Sequence, residues 1–166
     1  MSIVDAQTRS EIIDVYTAYG EGIDSKNWPM VRDCFADEIV VDYGDTGAAT
    51  GSAGEQRKAE EWMAALQSVI NGFDITRHTI SNFRFRETGE GIECRAYLTS
   101  DHIIFRNPEE NYASEEEVAT VVGEYTNVYR KTDAGWKIFK SKLDTHYSKG
   151  NIALFAEAGQ RAAAEG

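Results

Sequence analysis

The feature that most constrains this chain is a change of hydrophobic period near its middle. Up to residue 73, apolar residues recur mostly at the spacing of helices; from residue 74 onward, four segments are rich in β-branched and aromatic residues. Helices followed by a run of antiparallel strands predict an α+β fold, in which the N-terminal helices cover the concave face of a curved sheet and leave an internal pocket. With no linker or internal repeat, residues 1–166 are predicted to form one domain.

Capping and turn residues delimit the predicted elements. An apolar stripe from Ile12 to Ile23 predicts a first helix, and Ser25 or Asn27 can cap a second one that runs through Phe35. A capping-box pair, Ser52 and Glu55, predicts the start of a third helix. The other predicted elements are strands at 39–43, 74–87, 91–106, 117–131 and 135–147 and a closing helix at 151–163.

Composition and charge exclude several classes of partner. The chain carries 28 acidic and 17 basic residues and a formal charge of −11, without a basic stripe that could bind nucleic acid or an anionic membrane. No apolar run approaches the roughly 20 residues of a membrane span, and the first residues lack the features of a signal peptide. We therefore expect a cytoplasmic protein whose two cysteines, Cys34 and Cys94, are reduced and buried.

Alternation along the strands indicates which side chains face the pocket. In 92–106 the even positions, which include His102, form the more apolar face and should point inward. In 119–129 the odd positions place Tyr125 and Asn127 on a face that suits a cavity wall. His78 should share the face of Ile80 if its strand has no bulge.

The residue types that remain favour acid–base chemistry. The sequence has no metal-binding histidine or cysteine spacing, no nucleophile elbow, no phosphate loop and no dinucleotide fingerprint, so we expect neither a metal nor a cofactor. An imidazole beside a carboxylate such as Asp24 is held in one tautomer, and a tyrosine can donate a hydrogen bond to a developing oxyanion. The alternative is that the inward histidines are hydrogen-bonded core residues.

Several stretches, taken together in this order, resemble one family. They are Tyr-Gly-Glu-Gly-Ile-Asp24-Ser-Lys-Asn-Trp28, Val-Asp-Tyr43, Thr-Arg-His78-Thr-Ile-Ser-Asn82 and Gly123-Glu-Tyr125-Thr-Asn127-Val-Tyr129. This pattern resembles the SnoaL-like family of the nuclear-transport-factor-two-like superfamily over nearly the whole chain. The resemblance implies an α+β cone, in which a strongly bent, mixed or antiparallel sheet wraps on three helices around a deep pocket. It also implies a homo-oligomer, dimer or trimer, that pairs through the open sheet face.

Within the superfamily, the pattern is most similar to scytalone dehydratase and hexachlorocyclohexane dehydrochlorinase, which eliminate HX with an Asp–His dyad. This similarity implies Asp24 and His78 as the dyad, with Tyr43 and His102 polarising a carbonyl or protonating the leaving group. It predicts a cofactor-independent lyase for a small hydrophobic cyclic molecule. The residues expected to bind that substrate are Tyr16, Tyr19, Trp62, Tyr125 and Asn127.

Three other functions stay open on the sequence. A ketosteroid-isomerase-like enzyme would need a strand carboxylate near Tyr43, but Asp42 is one residue away and points to the opposite face. A polyketide-cyclase-like enzyme and a non-catalytic small-molecule-binding protein fit the same fold.

Overall fold

The structure is a computed structural model that describes residues 3–44 and 54–165. The helices are α1 (Ala6–Asp24), α2 (Trp28–Asp33), α3 (Ala59–Ile70) and α4 (Leu154–Glu165). The strands are β1 (Phe35–Asp42), β2 (Gln56–Lys58), β3 (Ile75–Thr88), β4 (Gly91–Ile103), β5 (Val118–Thr132) and β6 (Gly135–Gly150), and a 3₁₀ turn at Glu115–Glu117 precedes β5.

The six strands form one mixed sheet in the order β2-β1-β6-β5-β4-β3. All neighbours are antiparallel except β1 and β6, which run parallel. The main hydrophobic core joins α1 and α3 to the inner face of this sheet. The predicted α+β class, a curved sheet over N-terminal helices, is therefore confirmed. Among the described residues, no helix combines the length and the apolarity that crossing a bilayer requires.

Helices α1 and α2 each begin directly after a capping residue. Asp5 caps α1 by accepting the Thr8 backbone N–H, and the stripe from Ile12 to Ile23 is buried. The Asn27 side chain accepts the Met30 backbone N–H at the start of α2, so Asn27 rather than Ser25 is the cap. The cap residue Asn27 therefore lies in the short turn between α1 and α2.

Two predicted boundaries are wrong. Phe35 does not end the second helix; it begins β1, where it pairs with Ile138 of β6. The third helix begins only at Ala59, because Gln56–Lys58 forms the short edge strand β2. Of the expected capping box, Ser52 lies outside the described residues, and Glu55 precedes β2.

Helix α4 closes one end of the fold. It packs on α3, and a second hydrophobic cluster joins Leu154 and Ala158 to Phe73, beyond the end of α3, and to Ala119 at the start of β5. Two ion pairs hold its outer side, Arg106–Glu157 at 2.5 Å and Arg161–Asp74 at 2.7 Å. Such exposed pairs contribute little individually, so apolar packing is the main attachment of α4.

This packing predicts a large effect of one methyl group. A Cβ atom at Gly72 would lie 1.8 Å from the backbone oxygen of Ala158, so Gly72→Ala must displace α4. We expect a loss of about 1–3 kcal/mol in the free energy of unfolding, measured by urea denaturation. Gly89→Ala is the matched control, because no atom lies within 4 Å of a Cβ there. Equal stability of the two variants would contradict this account of α4 docking.

Candidate active site

Asp24 and His78 are joined by two hydrogen bonds where α1 ends against β3. The Asp24 Oδ1 atom lies 2.7 Å from Nδ1 of the His78 ring. The other carboxylate oxygen, Oδ2, accepts the backbone N–H of His78 at 2.9 Å. The carboxylate therefore holds both the strand and the ring, which fixes the imidazole in one orientation.

The turn after α1 keeps Asp24 at this place. Lys26 adopts a positive φ of 54°, and its Nζ atom donates to the backbone oxygens of Asn71 and Phe73. The indole Nε1–H of Trp28 donates to Asn71 Oδ1 at 3.1 Å. These bonds tie the turn to the segment that leads from α3 into β3. The segment that follows Asp24 and the segment that precedes His78 are therefore fixed to each other.

The electrostatics of the pair assign the proton on the ring. Burial raises the pKa of the Asp24 carboxyl, but hydrogen bonds from His78 and Thr76 outweigh this effect, and the pKa lies below its usual value. Asp24 is thus ionised at neutral pH and can only accept hydrogen bonds. Nδ1 of His78 must then carry a proton, so Nε2 is the nitrogen through which the neutral ring can act as a base.

An internal cavity of about 530 Å³ lies between α1, α3, α4 and the sheet. Its volume is within the range of small-molecule sites. Apolar and aromatic side chains form most of its wall, and no Asp, Glu, Lys or Arg is among its described lining residues. Its polar lining residues are Tyr19, Tyr43, His78, Ser100, His102, Tyr125 and Ser148.

The dyad spans the wall between this cavity and an outer groove. His78 borders both spaces, whereas Asp24 borders only the groove, an open space of about 680 Å³ between α1 and β3. Glu21, Asp74 and Arg77 also line the groove, so its lining carries charged side chains, unlike the described lining of the cavity. Because Asp24 engages Nδ1 from the groove side, Nε2 is the nitrogen left for the cavity.

Tyrosine hydroxyls form the second polar part of the cavity. The Tyr43 hydroxyl lies 3.2 Å from both the Tyr19 hydroxyl and Ser141 Oγ. Burial raises the pKa of Tyr43, and it raises the pKa values of Tyr19 and Tyr125 well above the ordinary one. The three phenols are therefore neutral hydrogen-bond donors, which suits an uncharged or developing oxyanionic oxygen.

His102 lies in the cavity wall, as its strand position predicts, but it is not suited to be an acid. Its Nδ1 atom lies 3.3 Å from the Ala119 carbonyl oxygen, which can only accept, so Nδ1 carries the proton. Burial lowers the pKa of His102 to about 3, so the ring is neutral. Its Nε2 can accept a hydrogen bond but has no proton to give. The expected action of His102 on a carbonyl or a leaving group stays a prediction, and its neutral ring favours accepting a hydrogen bond over donating one.

The expected substrate-binding residues divide into two groups. Tyr19, Trp62 and Tyr125 line the cavity. Tyr16 does not: it borders the outer groove, and its hydroxyl donates to the Cys94 backbone oxygen at 2.8 Å. Asn127 is also outside the cavity lining, and its amide donates to the Tyr129 hydroxyl at 3.2 Å. Both side chains are buried core residues with internal partners.

Sequence reasoning missed part of the wall. Ser100 lies directly opposite His78 in the β3–β4 ladder and lines the cavity. Its place on the even face of β4, two residues from His102, was the signal that could have identified it. Phe155 of α4 also lines the cavity, and its ring lies 4.7 Å from that of His102. No periodicity in the sequence places a C-terminal helix there.

Thiol and metal chemistry find no support in the described residues. Cys34 and Cys94 are free and buried, as predicted, and burial raises the pKa of each thiol to about 12. Neither is a thiolate at neutral pH, so neither is an activated nucleophile. Within 3–44 and 54–165, no three His, Cys, Asp or Glu side chains come together in a group that could hold a metal ion.

Residues 4–142 match the family model of the SnoaL-like domain. The chain belongs to the SnoaL-like family. No curated protein matches its sequence at a significant level.

Solved structures place this SnoaL-like chain in the nuclear-transport-factor-two-like fold. The Kfla4162 protein from Kribbella flavida is 23% identical with a TM-score of 0.73, over 96% of this chain and 99% of that one. A protein assigned as a scytalone dehydratase from Novosphingobium aromaticivorans is 18% identical with a TM-score of 0.66, over 89% and 96%. A type 2 hexachlorocyclohexane dehydrochlorinase, LinA, is 17% identical with a TM-score of 0.67, over 87% and 88%. At these identities, the similarity shows the fold alone.

The carboxylate that an isomerase of this fold would need is not in the cavity. Asp42 is not among the cavity-lining residues, and its Oδ1 atom accepts the Gly44 backbone N–H at 3.0 Å. Its neighbour Tyr43 points into the cavity instead. The described cavity lining of this SnoaL-like protein therefore contains His78 and not the strand carboxylate Asp42.

Proposed function

We propose that the protein is a cofactor-independent lyase that eliminates water from a small, neutral, hydrophobic cyclic molecule. The observation that carries this proposal is the 2.7 Å bond between Asp24 and His78 at the wall of an otherwise uncharged cavity. An oriented imidazole whose Nε2 faces a largely apolar cavity can act as a general base.

In this reaction His78 takes a proton from a carbon next to a carbonyl. The C–H electrons form the new double bond, and the carbon–oxygen bond of the leaving hydroxyl breaks with its electron pair. The imidazolium returns the proton to the departing oxygen, which leaves as water. Asp24 stays ionised and stabilises the imidazolium while it exists.

Two other groups assist the substrate without changing charge. Tyr43 donates a hydrogen bond to the substrate carbonyl as negative charge develops on it. His102 accepts a hydrogen bond from the leaving hydroxyl through its bare Nε2 and so orients it towards His78, whose ring centre lies 5.6 Å from its own. The absence of charged side chains among the described lining residues favours a neutral substrate over an anionic one.

The experiment is a thermal-shift screen of small cyclic molecules, followed by a turnover assay on those that bind. The set compares hydroxylated cyclic ketones with chlorinated and carboxylated analogues of the same ring size. We expect the hydroxyketones to stabilise the protein and to be converted, with release of water and a new conjugated double bond seen by ultraviolet absorbance. Binding without turnover would indicate a non-catalytic binding protein, and a shifted double bond without loss of water would indicate an isomerase; either result overturns the proposal.

A further inference from the structure

Asp24 accepts a third hydrogen bond, from a residue not yet given a role. The hydroxyl of Thr76 donates to Asp24 Oδ1 at 2.9 Å. This is the same oxygen that accepts from the His78 ring, so a threonine and a histidine share one carboxylate oxygen. Thr76 is only 3% exposed, which means that water does not replace this bond easily.

The strand itself places the two donors together. Thr76 and His78 are two residues apart on β3, and alternating side chains of a strand share a face. A β-branched side chain has few χ1 rotamers, so the strand backbone largely fixes where the Thr76 hydroxyl points. Across the ladder, Thr76 pairs with His102 and His78 with Ser100, which packs Thr76 among the residues of the site.

We propose that Thr76 is a positioning residue of the dyad: its hydroxyl fixes the rotation of the Asp24 carboxylate and takes part of the negative charge that would otherwise face the His78 ring. This inference rests on the proposed role of the dyad as a base.

Two consequences follow from the shared oxygen. The Thr76 hydrogen bond is one of the contributions that hold the pKa of Asp24 below its usual value, after those of His78. Without it, the carboxyl protonates at a higher pH, and the ionised form that orients the ring is lost earlier on acidification. The carboxylate also becomes freer to rotate, so fewer molecules hold the imidazole in its working orientation.

The test compares Thr76→Val, which removes the hydroxyl and keeps the shape, with Thr76→Ser, which keeps the hydroxyl. The first readout is the titration of the Asp24 carboxyl carbon by NMR, without substrate. We expect Thr76→Val to raise the titration midpoint by about 1 pH unit, as expected for one hydrogen bond to a charged group, and Thr76→Ser to restore it. Thr79→Val, at an exposed threonine of the same strand, is the control and should leave the midpoint unchanged.

The second readout is turnover at neutral pH. Thr76→Val should lower kcat about tenfold, and Thr76→Ser should restore it. An unchanged Asp24 midpoint in Thr76→Val, or a failure of Thr76→Ser to restore it, would overturn the positioning role. Because the NMR titration needs no substrate, it tests Thr76 even where the elimination reaction is refuted by the ligand screen.

Discussion

Replacing His78 by alanine is expected to lower kcat by about 10²- to 10⁴-fold, the usual contribution of a general base. The variant lacks the cavity-facing Nε2. Among the described lining residues, the only other nitrogen that could accept a proton is Nε2 of His102. That atom belongs to a ring whose pKa burial lowers to about 3, so it is too weak a base to replace His78. Steady-state turnover of the substrate found in the ligand screen is the measurement.

The control for this variant is His146→Ala. His146 is exposed on β6 and does not line the cavity, so its loss should leave kcat within experimental scatter. The fold of both variants is checked by circular dichroism and urea denaturation. Wild-type turnover in a folded His78→Ala protein would contradict the assignment of His78 as the base.

Asp24→Asn is expected to lower kcat by about 10²- to 10⁴-fold with a much smaller change in KM. Asp24 now accepts three hydrogen bonds, from the Thr76 hydroxyl and from the backbone and ring N–H groups of His78. An amide has only one oxygen, so its NH₂ group must face either a backbone donor or the ring. If the NH₂ group faces the ring, it donates to Nδ1 of His78, and the ring proton then lies on Nε2. The nitrogen that faces the cavity is then a donor instead of a base.

Asp14→Asn is the matched control for this change. Asp14 lies on the same helix but on its exposed side, so the same loss of charge occurs away from the dyad. Nitrogen-15 NMR of the imidazole reports the tautomer directly. A His78 ring that keeps its proton on Nδ1 in Asp24→Asn, together with wild-type kcat, would contradict the assigned role of the carboxylate.

The parts of the site that depend on local pattern could be predicted from the sequence. The helical stripe from Ile12 to Ile23 and the alternation of β4 each have one apolar face, so burial decides their orientation. That alternation correctly places His102 in the cavity wall. The juxtaposition of Asp24 and His78 came from the family resemblance instead, because no local rule brings a helix end to a strand 54 residues away.

The parts that failed depend on distant partners. Phe35 reads as the end of a helix, yet its ladder pairing with Ile138 decides its conformation. Tyr16 shares the apolar stripe with Tyr19, but the two lie almost one helical turn apart, and only Tyr19 reaches the cavity. Asn127 shares the strand face of Tyr125, but the cavity wall ends before it. The boundary of a cavity depends on how the whole fold packs, and the periodicity of a sequence does not describe that packing.

A double-mutant cycle on kcat tests most directly whether Asp24 and His78 act as one catalytic unit. The four proteins are the wild type, Asp24→Asn, His78→Ala and the double variant, all assayed under single-turnover conditions. A carboxylate that acts only through the ring has nothing to orient once the ring is gone, so the double variant should turn over as slowly as His78→Ala and no slower. Losses that multiply, to about 10⁴-fold or more, would show that the two residues act independently and would contradict the dyad.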